Sequence, residues 1–194
     1  MKKGYLQQMF PREGEFVSRV RFSGFADNWV ECKLEETGVI SAGGDLDKSK
    51  LIENGFPVLA NALTNDGVVG YYDDYKVEAP AVTITGRGDV GHAKARITNF
   101  TPVVRLLTLQ PYGCNDAFFL ESAINNLDIF VESTGVPQLT SPQLSEYTIL
   151  IPVLSEQAAI GNFFRSLDRQ ITAQISKVEQ LKQLKSAYLQ RMLV

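Results

Sequence analysis

The sequence predicts an α+β protein: a mixed globular domain with a twisted β-sheet and short helices, followed by one long C-terminal helix of coiled-coil type. Three observations carry this reading. Between Val30 and Leu154, short β-favouring runs alternate with Gly, Asn and Asp clusters. From Ser155 to Met192 there is no Pro and no Gly after Gly161, and apolar residues recur at three- and four-residue steps. The first ten residues, MKKGYLQQMF, return as LKSAYLQRML at 184–193, pairing Lys2 with Lys185, Tyr5 with Tyr188, Leu6 with Leu189, Gln7 with Gln190 and Met9 with Met192. One structural unit separates the two copies, so the chain reads as one period of a tandem architecture.

In chain order, residues 1–10 are expected to be the stump of a helix equivalent to the C-terminal one. So short a helix is marginal by itself, because nucleation is costly and few bonds follow it, and it is expected to order only when docked. Pro11 stops it. Residues 11–29 form an irregular connector whose Phe16, Phe22, Phe25 and Trp29 are spaced to anchor a strap onto a core. The domain proper covers 30–154. Its strands are expected at GVIS (38–41), FPVLA (56–60), VVGYY (68–72), AVTIT (81–85), VVRLLTL (103–109) and EYTILIPVL (146–154). Residues 115–127 have a helical rhythm, with Phe118, Phe119, Ala123 and Leu127 on one side and Asn115 or Asp116 as the cap. The final helix takes residues 155–194, with Ser155 as its N-cap. About 38 residues at roughly 1.5 Å each make a rod of ~57 Å, longer than a small domain needs. Its stripe of Phe164, Leu167, Ile171, Ile175, Val178, Leu181, Leu184, Tyr188 and Met192 is therefore expected to meet another helix. The polar Gln174 and Lys185, on or near that seam, would fix the register.

Bulk properties exclude some classes. At 194 residues and 44% hydrophobic side chains the chain can bury one good core. No apolar run nears the roughly 18 residues of a membrane span, and Met-Lys-Lys leads into a polar stretch rather than a signal core, so the expectation is a cytoplasmic protein without a membrane partner. Cys32 and Cys114 stand far apart without a C-x-x-C, as reduced structural thiols would. The net charge of −3 hides segregation: residues 1–23 carry +3, 24–75 carry −7, 76–105 carry +3, 106–154 carry −5 and 155–194 carry +3. A phosphate meets a local patch, so the total does not exclude nucleic acid, although such blocks also suit ordinary solvated surface.

Catalytic and cofactor signals are missing. The single His92 cannot build a zinc site, and Asp73, Asp74 and Glu78 lack the Glu-x-Lys of a metal-dependent nuclease. Phe22-Ser23-Gly24-Phe25 is a weak echo of a glycine-rich cofactor loop, and Gln110-Pro111-Tyr112 is not an amino-methyltransferase motif. No cofactor, no metal and no enzymatic activity are expected.

The run from Ile151 to Leu193, with Pro152, Leu154, Glu156, Gln157, Leu167, Asp168, Ile171, Leu184 and Lys185, resembles the conserved helical region of type I restriction-modification specificity subunits. MKKGYLQQMFP followed by RFSGFADNW and KLEE is similar to that family's passage from its central helix into its second target recognition domain. STGVPQLTSPQL at 133–144 is similar to its stretch before the exit strand. The resemblance implies a non-catalytic subunit that reads one half of a split target in double-stranded DNA. Its helices would dock methyltransferase subunits, with the restriction or motor subunit as a further partner. A whole subunit has two recognition domains and two helices, whereas this chain has one of each. It therefore looks like a half-length form, working as a homodimer through the long helix. The alternative is a truncated fragment that pairs with methyltransferase or another specificity subunit and reads no DNA.

Three loops are candidates for DNA contact. TGRGDVGHAKAR (85–96) offers Arg87, His92, Lys94 and Arg96 on a glycine-rich backbone, Arg being suited to guanine edges and Lys to phosphates, though a solvated hairpin tip would look the same. Loop 61–76 offers Asn61, Asn65, Tyr71, Tyr72 and Lys76, of which Tyr71 and Tyr72 cannot both be core if the stretch is a strand. Loop 43–50 offers Lys48 and Lys50, beside Asp45 and Asp47, which limit its charge.

Overall fold

The computed structural model describes residues 2–130 and 137–192, with side chains to Gln190. Helix α1 (Lys2–Met9) leads through the connector to β1 (Val30–Lys33), a single helical turn α2 (Leu34–Thr37) and β2 (Gly38–Ala42). Then come β3 (Phe56–Leu59), β4 (Val68–Tyr72), β5 (Ala81–Ile84), β6 (Ala93–Arg96), β7 (Thr101–Pro102) and β8 (Leu107–Pro111). Helices α3 (Ala117–Ile124) and α4 (Ser141–Ser145), strand β9 (Thr148–Ile151) and helix α5 (Leu154–Met192) complete the chain.

The expected single sheet is three small ones: β1 with β9, a four-stranded sheet ordered β2-β8-β5-β6, and a three-stranded sheet ordered β4-β3-β7. Runs of two to five residues separated by long loops are too short to make one continuous sheet. Every residue of β5 is buried, and alternate side chains serve two cores. Val82 and Ile84 join the main one, and Ala81 packs with Leu59, Val77, Phe100 and Leu106 on the other. Three boundaries differ from expectation. Strand β8 starts at Leu107 because Val104 and Arg105 adopt left-handed backbone, φ 51° and 59°. Helix α5 starts at Leu154 because the Val153 carbonyl accepts from the Glu156 and Gln157 amides, at 2.9 and 3.0 Å, so Ser155 lies inside the first turn rather than capping it. Residues 93–96, expected in a loop, are strand β6.

Helix α3 covers the edge of β6. Asn125 accepts from the Ala93 amide at 3.0 Å and donates to the Ala93 carbonyl at 2.9 Å, and Glu121 accepts from the Ala95 amide at 3.1 Å. The Ala93 amide and carbonyl and the Ala95 amide on the outer edge of that strand are thus satisfied by side chains, which blunts an edge otherwise free to pair. Burial pushes the Glu121 carboxyl above its usual 4.5.

An aromatic cluster joins the chain's two ends. Phe10 lies 5.7 Å from Trp29, 5.5 Å from Phe119 and 6.3 Å from Phe164, with Met9 buried beside it. Of the connector aromatics, Trp29 is core and Phe22 packs against it, whereas Phe16 is exposed. Helix α1 docks on α5 of its own chain: Lys2 Nζ is 2.6 Å from Asp168, and the Tyr5 ring meets Phe163 edge-on at 5.1 Å. Those contacts supply the order that its length cannot.

The first turns of α5 belong to the domain. Ile160 and Phe164 are core, and Leu167 is partly buried against it. This corrects the stripe expected to meet a partner, because Phe164 and Leu167 are used at home. Asp116 caps α3, accepting from the Phe119 amide at 2.8 Å, and Gly161 sits against that cap. A Cβ at Gly161 would lie 2.4 Å from Asp116 Oδ1 and 3.0 Å from the Phe119 nitrogen. From Arg169 to Gln190 every residue is exposed, including Ile171, Ile175, Val178, Leu181, Leu184 and Tyr188. The side chain of Met192 falls outside the described residues.

Two outcomes follow from this packing. Gly161→Ala, a change worth roughly 0.5–1 kcal/mol of gain on a free helix, is expected instead to cost about 1–3 kcal/mol by overpacking. A denaturant midpoint that stays level or rises would refute it. For Glu121, a folded-state pKa above the unfolded value means the buried charge destabilises at neutral pH, and the fold gains as pH falls towards 4.5. Glu121→Gln, whose carbonyl still accepts from Ala95, is expected to be more stable than the parent at pH 7. That advantage should shrink on acidification; a pH-independent difference would contradict the assignment.

Candidate nucleic-acid interface

Four segments distant in sequence are stitched together at the loop end of the domain. The Asn61 side chain donates to the Val104 carbonyl at 2.6 Å and accepts from the Gly86 amide at 2.7 Å. The Val104 and Arg105 amides bond the Gly44 and Gly43 carbonyls at 2.7 and 3.1 Å. Loops 43–50, 61–67, 85–92 and 103–105 therefore share one backbone junction. Asn61 is a positioning residue with both ends of its amide spent, so it is not free to read adenine as its sequence context first implied.

The β5–β6 connection is a structured hairpin tip. Thr85 Oγ1 donates to the Asp89 carbonyl at 2.6 Å and accepts from the His92 amide at 2.9 Å, while Gly88 and Gly91 take φ 77° and 88°. Arg87 is exposed on this tip, its backbone paired with Gln138. His92 Nε2 lies 3.0 Å from Asp89. On β6, Lys94 and Arg96 both turn to Asp66 of the neighbouring loop, Arg96 at 3.0 Å with its side chain only 13% exposed. Arg96 Nε also donates to Thr83 Oγ1 at 3.0 Å. Burial lowers the Arg96 pKa, and Asp66 works against that shift. Arg96 is thus a buried brace instead of the open base reader expected, because its guanidinium is spent on Asp66 and Thr83.

Asn65 and Asp66 take left-handed backbone at φ 48° and 57°, and Asn65 Nδ2 donates to the Val68 carbonyl at 3.0 Å. Strand β4 turns Tyr72 inward, where its hydroxyl accepts from the Asp47 amide at 2.9 Å and donates to the Asp47 carbonyl at 3.0 Å. Tyr71 is 37% exposed on the opposite face, so only Tyr71 of the pair remains available to a ligand. Lys76 and Lys48 are exposed. Lys50 is also exposed and lies 3.8 Å from Asp47, whose carboxyl is held below its usual range by hydrogen bonds from Ser49 and by Lys50.

Among the described residues, open cationic groups remain at Arg87, Lys48 and Lys76, and at Arg105, which lies in a run expected as a strand. The left-handed backbone of Val104 and of Arg105 itself brings Arg105 to the surface, and no local pattern announces it. Among the described residues no cluster of His, Cys, Asp or Glu is placed to hold a metal ion, and no helix is long and apolar enough to cross a membrane.

A profile of the type I restriction modification DNA specificity domain matches residues 26–184. A Mycoplasma pneumoniae protein assigned as a type I specificity subunit is 28% identical over 117 residues, covering 60% of this chain and 32% of that protein. A second protein so assigned in that organism is 28% identical over 138 residues, covering 68% and 41%. The chain spans less than half the length of these two relatives. Among solved structures, the S subunit of a type I restriction-modification system from M. genitalium superposes with a TM-score of 0.65 at 18% identity, over 83% of this chain and 44% of that one. A chain from a structure of type I system assembly and conformational transition gives 0.69 at 19%, over 89% and 44%. These likenesses establish the fold, and the match across residues 26–184 shows that the chain belongs to the type I restriction modification DNA specificity domain family.

Proposed function

We propose that the chain is a non-catalytic, cytoplasmic DNA-recognition module that reads one half of a split target in double-stranded DNA and docks methyltransferase subunits, with the restriction or motor subunit as a further partner. The observation that carries this is the loop junction at Asn61, which ties together the loops that bear the exposed Arg87 and Lys48. Rigidly held exposed cations suit a polyanion, and the braces formed by Arg96 and Asp66 leave the reading to residues around them. Tyr71 and Lys76 are assigned to the sugar-phosphate chain, and His92, Lys94 and Asn65 border the surface.

The exposed stripe of α5 favours a second role, pairing with another copy. Lys2 and Tyr5 of α1 meet Asp168 and Phe163, and the end of α5 repeats that pair as Lys185 and Tyr188. Transferred to a second copy, these contacts set two α5 helices antiparallel, with Lys185 facing Asp168. The same register places Ile175 against Val178 of the second copy, around a two-fold axis, as an isologous interface requires. The tail would then take the place of α1 on α5. Capture of methyltransferase or another specificity subunit by that stripe, without DNA reading, is the competing outcome.

In complex with methyltransferase subunits, the chain is expected to select one duplex sequence from a random pool with at least roughly 10³-fold preference and with affinity that falls as salt rises. Arg87→Ala should weaken it roughly tenfold; equal affinity for all duplexes would sink the recognition reading. For pairing, Asp168→Lys should abolish the dimer seen by light scattering, and adding Lys185→Asp should restore it. A parent chain that is monomeric at every concentration removes the second copy as occupant.

A further inference from the structure

The same backbone turn is built twice at this junction, once from suitable residues and once from unsuitable ones. Asn65–Asp66 takes two successive left-handed conformations, which short polar residues tolerate. Val104–Arg105 does the same at φ 51° and 59°, although a β-branched residue there is a steric outlier. The turn closes through the Leu106 amide to the Val103 carbonyl at 3.1 Å. Gly44 and Gly43 accept from the Val104 and Arg105 amides, and Asn61 donates to the Val104 carbonyl. Strain of this kind persists only where surroundings over-determine it, and it gathers at ligand contacts.

What the strained turn displays is Val104, 43% exposed, and the exposed Arg105. The Arg105 carbonyl lies 3.1 Å from where a Cβ on Gly86 would stand, so Arg105 and Arg87 are neighbours across one backbone contact. Among the described residues neither guanidinium has a carboxylate partner, whereas Lys94 and Arg96 share Asp66 and Lys50 lies near Asp47. An exposed guanidinium presents N–H donors in a planar fork and favours an anionic, hydrogen-bond-accepting ligand.

We propose that Arg105 is a specificity-determining residue: its guanidinium reads a guanine edge in the major groove, and Val104 beside it packs on the groove's apolar surface, a thymine methyl being its chemical match. This rests on the DNA-recognition reading above and adds a base contact to it. A turn of Gly or Asn would hold the same backbone without strain, so a bulky Val-Arg pair is explained by what the side chains touch.

The test is selection from a pool of random-sequence duplexes by the full chain with its methyltransferase subunits. The parent should return one preferred sequence. Arg105→Ala should return the same sequence with one position degenerate and affinity for the parental site lower by roughly ten- to a hundred-fold. Arg105→Lys should keep affinity for unrelated duplexes without restoring that position, because it lacks the planar fork. Arg105→Gly, which fits the left-handed backbone, should keep or raise the thermal midpoint while losing the base preference. Retention of every position by Arg105→Ala overturns the assignment and leaves DNA recognition standing. Uniform weakening on all duplexes with a shallower salt dependence overturns base reading in favour of a phosphate contact. A lower midpoint for Arg105→Gly shows a structural residue instead. A parent chain that enriches no sequence overturns recognition and this proposal together.

Discussion

Glu156 and Gln157 are adjacent on the first turn of α5, and both are wholly buried. Glu156 takes a two-pronged bond from Arg21 of the connector, at 2.6 and 2.7 Å, which raises the Arg21 pKa. Gln157 accepts from the Asp116 amide at 3.0 Å and donates to the Pro152 carbonyl at 3.0 Å. One residue thus fastens the helix to the strap that crosses it, and the next fastens it to the domain. A buried ion pair adds little net stability over apolar packing, yet losing one partner leaves an uncompensated charge at a cost of about 3–5 kcal/mol. The joint therefore acts mainly through geometry: it fixes the angle at which the free part of α5 leaves the domain.

That angle links the loop junction to the exposed stripe of α5. Gly161 lets α5 approach the cap of α3, and α3 in turn covers β6, from which Lys94 and Arg96 reach the Asp66 loop. The loop junction around Asn61 and the projecting apolar stripe are thus held by one packed body. On the proposed function, this rigidity would set the spacing between DNA reading and helix pairing.

Periodicity made α5 legible, since its apolar spacing runs unbroken, and the expected start at Ser155 lies one residue inside the helix although Ser155 does not cap it. The capped helix at Asp116 and most strands were equally plain, because local propensity and packing agree there. Two of the strands lost to inspection, Val30–Lys33 and Ala93–Arg96, are rich in charge, and contacts outside their own sequence hold them: β9 for the first, and β5 with α3 for the second. Among the candidate site residues, Tyr71 and Tyr72 separated as alternation requires. Asn61, Arg96 and Phe164 proved to be braces or core, because polar and aromatic residues look alike in sequence whether they bind within the fold or beyond it.

By itself the sequence determined the long helix, through its apolar spacing, and carried the motifs by which the chain resembles its family. Only the tertiary structure decided which cations stay open. Asp66 of another loop engages both Lys94 and Arg96, and a strained turn lifts Arg105 out of what reads as a strand. Charge pairing and backbone conformation at such places depend on segments brought together over tens of residues, and local pattern carries no record of them.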